Sequence, residues 1–161
     1  MHSPHRGAGG FYFLCAAWLL FGIAAFAPNA GAQPANDMFG SATNIIGNSG
    51  SLTATNVGAT KEAGEPDHAG NLGGASVWWV WTAPASGSVT FDTNGTALDT
   101  VMGVYQGSAV NQLTAIAEDD DSGVNYASSV TFSAVSGGVY YIGVAGYGRN
   151  SFGPFNLNWA Q

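Results

Sequence analysis

Along most of the chain apolar and polar residues alternate with a period of two, interrupted every few positions by Gly, Asn, Ser or Pro. That pattern predicts short β-strands separated by turns. The densest stretch is Val77-Trp78-Trp79-Val80-Trp81-Thr82, closed by Pro84. It is too short for a buried helix and rich in the residues that strands favour. Val77, Trp79 and Trp81 fall on one face, Trp78 and Val80 on the other. Apolar groups on both faces fit a central strand covered on both sides, or one with an aromatic face left open for a ligand.

Further strands are expected at 51–57, 88–93, 100–105, 112–117, 129–135 and 139–145, and a last one carries Phe155, Leu157 and Trp159 on one face. The loop 83–87 reads as a hairpin joining the tryptophan strand to 88–93, and Ser136-Gly137-Gly138 as a second hairpin. Helical spacing is confined to a turn or so at Asp37–Ala42, with Asn36 or Asp37 as its cap. About eight short strands at regular spacing predict an all-β fold: an antiparallel β-sandwich of jelly-roll-like type.

The start of the chain is different. His5 and Arg6 precede an apolar run from Phe11 to Ala27, and Ala30-Gly31-Ala32 is a small-residue cleavage signal. Residues 1–32 therefore read as a signal peptide, and 33–161 as a single domain that is secreted, extracellular or periplasmic. Cys15 is the only cysteine and leaves with the leader, so the expected domain has no disulfide and no thiolate metal site. Its basic residues are Lys61 and Arg149, against ten acidic ones. This balance argues against nucleic acid and against anionic membrane surfaces, both of which need clustered basic residues. Carboxylates on an exported domain suit a hard cation such as Ca²⁺.

Asn36-Asp37, the tryptophan strand, Leu98-Asp99-Thr100-Val101-Met102-Gly103-Val104-Tyr105, Asp119-Asp120 and Ser136-Gly137-Gly138-Val139-Tyr140-Tyr141-Ile142-Gly143-Val144 follow one another in an order that resembles the bacterial pre-peptidase C-terminal domain family. The resemblance runs from about Asn36 to Trp159 and implies a β-sandwich accessory module, not itself catalytic, of the kind appended to secreted hydrolases. Relatives such as the collagen-binding domains of clostridial collagenases bind Ca²⁺ and an extracellular polymer. Their calcium ligands include an Asn-Asp pair at the domain start, which Asn36-Asp37 matches, and acidic residues from the loop before the aromatic strand. That loop offers Glu62, Glu65 and Asp67. The relatives also place glutamates just before the pair, where this chain has Gln33-Pro34-Ala35.

A second metal candidate is Asp119-Asp120-Asp121-Ser122-Gly123, whose Asp119 and Asp121 have the spacing of a calcium loop, with Asp99 close if the sheet folds as supposed. The twelfth position is Val130 rather than Glu, so this is no EF-hand, and the plainer reading is a solvated turn. His68 lies beside Glu65 and Asp67, which raises a hydrolase as an alternative. No nucleophile-elbow serine, cysteine nucleophile or second histidine accompanies it, and a structural role against a tryptophan or a loop carbonyl is the simpler expectation. Aromatics are candidates for ligand contact: Tyr147 and Phe152 in a Gly-rich loop, and Trp78 on the second face of its strand. The expected function is a non-catalytic accessory or binding module for an extracellular polysaccharide or protein polymer. Self-association through open sheet edges into a layer or filament is the structural alternative.

Overall fold

A computed structural model describes residues 32–161. The expected signal peptide, with Cys15, lies outside the described residues apart from Ala32. Nine strands form two layers: β1 (Thr43–Ile45), β2 (Ser49–Thr55), β3 (Ser76–Thr82), β4 (Gly87–Asp92), β5 (Thr100–Gln106), β6 (Thr114–Asp119), β7 (Ser129–Ala134), β8 (Val139–Gly146) and β9 (Pro154–Ala160). One sheet has the order β1-β3-β8-β5-β6 and the other β2-β9-β4-β7. Strands β2 to β9 thus follow the jelly-roll order, and β1 adds an edge. Every pairing is antiparallel except that of β1 with β3, which is parallel. Three short 3-10 turns, at Phe39–Ser41, His68–Gly70 and Val110–Gln112, are the only helical elements among the described residues. Neither Asn36 nor Asp37 caps the first of them; its N-cap is Met38, without a side-chain bond.

The two expected hairpins are arches. β3 and β4 lie in opposite sheets, as do β7 and β8. The arches are bonded to each other: Ala83 N–H donates to Gly138 O, and Gly137 N–H to Ala83 O. Only β5 and β6 form a sequential hairpin. Alternation shows that a strand has one buried face, but not whether the next strand sits about 5 Å away in the same sheet or about 10 Å away in the other.

Between the sheets, Trp79 and Trp81 pack with Val77, Val89, Phe91, Ile142, Val144, Phe155 and Leu157. Trp81 meets Phe91 edge-on at 5.5 Å, and the Trp81 and Trp159 indole N–H groups both donate to the Gly47 carbonyl, at 3.0 and 3.3 Å. Burying large rings with their polar edge satisfied provides much of the stability of a sandwich without disulfides.

Trp78 points out of the sandwich, yet is 0% exposed. The expectation that it contacts a ligand is overturned, because a second small core covers that face. Phe39 and Tyr105 pack on Trp78, and the buried His68 ring meets it edge-on at 5.4 Å. Space for these rings comes from two glycines. Trp78, Gly143, Gly103 and Glu118 stand in one row across β3, β8, β5 and β6. A Cβ at Gly143 would lie 2.7 Å from the His68 ring and 2.9 Å from Trp78. The tryptophan strand is therefore central and covered on both faces.

Candidate functional site at the loop end of the sandwich

The jelly-roll order gathers the loops 56–75, 93–99, 120–128 and 147–153 at one end of the sandwich. That end holds most of the sequence-derived site residues.

The loop 56–75 does approach Asn36-Asp37, as the resemblance implied. Trp78 N–H donates to Asn36 O, and Asn36 Nδ2 donates to Trp78 O at 3.0 Å. Asp37 is buried, and its oxygens accept from Thr60 N–H, Thr60 Oγ1 and Gln33 Nε2. Glu62 accepts from the Phe39 N–H. Asp67 is ion-paired with Lys61, whose Nζ also donates to Leu72 O at 2.9 Å. Glu65 is buried against Ser76 and accepts from the Glu62 N–H at 2.9 Å. A calcium shell needs roughly six to eight converging oxygens. Here amide, hydroxyl and ammonium donors already engage each of Asp37, Glu62, Glu65 and Asp67, and these carboxylates are not among the converging acidic groups of the described residues. The set Asn36, Asp37, Glu62, Glu65 and Asp67 does not fit the ion in this arrangement. Instead it clasps the N-terminal segment to the loop.

His68 belongs to a buried chain of polar groups. Its Nε2 is 3.0 Å from Ser76 Oγ, which contacts Glu65; its Nδ1 is 2.7 Å from the Tyr105 hydroxyl, which donates to Glu118 at 2.6 Å. The four links need four hydrogens. Ser76, Tyr105 and a neutral imidazole supply one each, and Tyr105 donates to the exposed Glu118, so the fourth is a proton on Glu65 or His68. Burial pushes the Glu65 carboxyl up, and it pulls the His68 imidazole down to about 3. With the imidazole neutral, the count leaves the fourth hydrogen to Glu65, and burial acts in the same direction. The run of donation is then Glu65 to Ser76 to His68 Nε2, and His68 Nδ1–H to Tyr105 to Glu118. Glu65, His68 and Ser76 are all buried, so no substrate reaches them. The hydrolase alternative on His68 and Glu65 fails on access, and the imidazole bonds two hydroxyls rather than a loop carbonyl.

The second acidic cluster does converge, with one change of member. Asp99, Asp120 and Asp121 bring one carboxylate oxygen each to within 4.8 Å of one another. Asp119 is not among them. Its oxygens accept from the Ser122 N–H and Oγ and the Ser129 N–H, which closes the turn after β6. The calcium-loop spacing pointed to alternate residues, but Asp119 still belongs to the strand and caps it. Asp99 Oδ1 and Asp120 Oδ1 are buried without a hydrogen-bond partner. Loss of water raises the affinity of both carboxyls for protons, and the neighbouring Asp121 charge adds to it. Three crowded carboxylates with two unsatisfied oxygens fit the donor chemistry of a hard cation.

Residues 75–146, which span β3 to β8, match the family model described as the bacterial pre-peptidase C-terminal domain. These residues belong to that family. The pre-peptidase C-terminal domain of collagenase from Bacillus anthracis, a crystal structure at 1.0 Å, is similar to the chain at 16% identity and a TM-score of 0.50, covering 73% of this chain and 93% of that one. A second similar structure is Aeromonas hydrophila PliG, a periplasmic lysozyme inhibitor of g-type lysozyme, at 17% identity and a TM-score of 0.48, with 73% and 95% covered. Among curated proteins nothing matches the chain.

The exposed aromatic side chains among the described residues are Tyr126, Tyr147 and Phe152, at 66%, 50% and 45% exposure. All three sit on the loop end. Tyr147 and Phe152 were expected there from their Gly-rich loop; Tyr126 was not singled out, and only its Ser/Gly/Asn-rich surroundings hint at it. Backbone bonds tie these loops together: Tyr147 N–H donates to Asp99 O, and Thr100 N–H to Tyr126 O. The same end carries a cavity of about 440 Å³ lined by Lys61, Asp67, Leu72, Gly73, Gly74 and Arg149. Sequence reasoning passed over it, because the residues come from separate loops.

Proposed function

We propose that the chain is an exported, non-catalytic module that binds an extracellular polymer through the loop end of its sandwich, with Ca²⁺ held at Asp99, Asp120 and Asp121. The observation that carries this reading is the segregation of aromatic side chains. The tryptophans of β3 and β9 are buried, whereas Tyr126, Tyr147 and Phe152 stand exposed together on loops of one end. Exposed aromatics grouped on one surface favour a ligand with flat apolar faces, such as sugar rings or a proline-rich chain. Glu65, His68 and Ser76, the candidate catalytic groups, are buried, which supports a binding role over a catalytic one. Membership of residues 75–146 in a family of accessory domains supports the same choice, as does the collagenase that carries the similar Bacillus anthracis domain. The leader expected at residues 1–32 supplies export. An ion at Asp99, Asp120 and Asp121 would neutralise the carboxylates and fix the 93–99 and 120–128 loops next to Tyr126 and Tyr147.

The test is co-sedimentation of the purified chain with chitin, cellulose, peptidoglycan and collagen fibres. Binding to at least one is expected, and a Tyr126→Ala/Tyr147→Ala/Phe152→Ala variant should lose it while keeping its melting temperature. Equal binding by that variant, or none by the wild type to any polymer, overturns the reading.

A further inference from the structure

The strongly acidic domain keeps both of its basic side chains in one place. Lys61 and Arg149 line the same cavity of about 440 Å³, the volume of a few sugar rings' worth of space at the mouth of the 71–74 and 147–153 loops. The cavity is built by the backbone. Asn71 Oδ1 accepts from the N–H groups of both Gly73 and Gly148, at 3.0 and 3.1 Å, and so pins one loop to the other. Gly74 lies so close to the Arg149 main chain that any Cβ there would run into the Arg149 carbonyl. The glycine thereby fixes where the arginine begins.

The two cations are not equivalent. Lys61 is compensated by Asp67 and bonds Leu72 O. Arg149 is exposed and has no ion pair or side-chain hydrogen bond among the described residues. With Asp67 counted, the lining has an excess of one positive charge. It also has one apolar wall, the exposed Leu72. The lining is complementary to a single carboxylate carried on a small, partly apolar frame. A guanidinium takes a carboxylate through two parallel N–H bonds, while Asp67 and the Leu72 carbonyl region offer acceptors for hydroxyl groups. The rest of the domain repels a polyanion, since it carries the nine other acidic residues and no further Lys or Arg. A neutral chain with isolated carboxylates meets both conditions.

We infer that this cavity is a subsite for a sugar carboxylate, a hexuronate residue within an otherwise neutral glycan. Arg149 binds the carboxylate, Lys61 and Asp67 bind ring hydroxyls, and Leu72 covers an apolar ring face. Tyr147 and Phe152 on the same loop extend the contact to neighbouring sugars. The inference rests on the polymer-binding reading and names the class of polymer.

The experiment is an NMR titration of the purified chain with methyl β-D-glucuronide, methyl β-D-glucoside and a tripeptide with a free α-carboxylate. The glucuronide should shift the Gly73, Gly74 and Arg149 amides with saturation, and bind about tenfold more tightly than the glucoside, as loss of a charged bidentate pair implies. Arg149→Gln should lower glucuronide affinity by a similar factor of about ten without altering the melting temperature. Equal affinity for the glucoside, unchanged affinity in Arg149→Gln, or tighter binding of the tripeptide overturns the inference. Sedimentation with the insoluble polymers separates the two readings: retained polymer binding without glucuronide shifts sinks the uronate subsite alone. Saturable glucuronide shifts in a chain that sediments with no polymer sink only the broader reading.

Discussion

Replacing Glu65 by Gln tests the buried proton in the chain from Glu65 to Glu118. The amide offers Ser76 a hydrogen, as the protonated carboxyl does, but it takes no part in titration. In the variant the native state holds His68 neutral down to about pH 3, whereas the unfolded chain charges that imidazole below its ordinary 6.5. The unfolded state then binds more protons. Stability is present in full above pH 6.5 and is lost as pH falls toward 3, at about 1.4 kcal/mol per unit. Between pH 7.5 and 5.0 the loss is about 2 kcal/mol. In the wild type the raised Glu65 carboxyl keeps its proton to a higher pH in the native state than in the unfolded chain, where its value is the ordinary 4.5. That contribution has the opposite sign, favouring the native state as pH falls, and it offsets the histidine loss. Lys61, Glu62 and Asp67 also face the network, but they are common to both proteins and cancel in the comparison. Urea unfolding at pH 7.5, 6.5 and 5.0 measures the effect. Glu65→Gln should decline by about 2 kcal/mol over this range, the wild type should decline less or gain, and the added change His68→Gln removes the decline. Parallel curves for wild type and Glu65→Gln would show that Glu65 carries no proton and refute the hydrogen count.

Calcium at a hundred times its dissociation constant should stabilise the wild type by about 2.7 kcal/mol, seen as a rise in melting temperature. Asp120→Asn should abolish that rise yet leave the ion-free protein equally or more stable, because it relieves crowding with Asp99 and Asp121; an unchanged calcium response would remove Asp120 from the site. Gly143→Ala should cost about 1–3 kcal/mol in urea unfolding, since the added methyl meets the His68 and Trp78 rings; a neutral effect would mean that the second core is loosely packed. Tyr105→Phe should cost about 1–3 kcal/mol by leaving His68 Nδ1–H buried without an acceptor, and full stability in that variant would argue against the chain of bonds as drawn.

Much of the architecture is written in the one-dimensional pattern. Period-two alternation placed the strands of the jelly roll within a few residues of their observed bounds, missing only β1, whose three residues are too few to show a period. The all-β class follows from the same local signals, and the order of the short motifs carries the family resemblance. Connectivity did not follow, because a short loop after β3 or β7 looks the same whether it turns back in one sheet or arches to the other. Nor did the fate of Trp78. Its strand is apolar on both faces, and only the packing of Phe39, His68 and Tyr105 over Gly103 and Gly143 decided that the outer face is closed. At the candidate sites, residue type announced the chemistry but not the company. Asp119 and Asp120 are neighbours with the same side chain; one closes a turn and the other joins Asp99 and Asp121. Lys61 and Arg149, 88 positions apart by their numbers, share a cavity because two loops meet over Asn71. Strand formation depends on near neighbours along the chain, so sequence alone determined it. Which side chains converge depends on contacts between distant segments, and those exist only once the two sheets have packed.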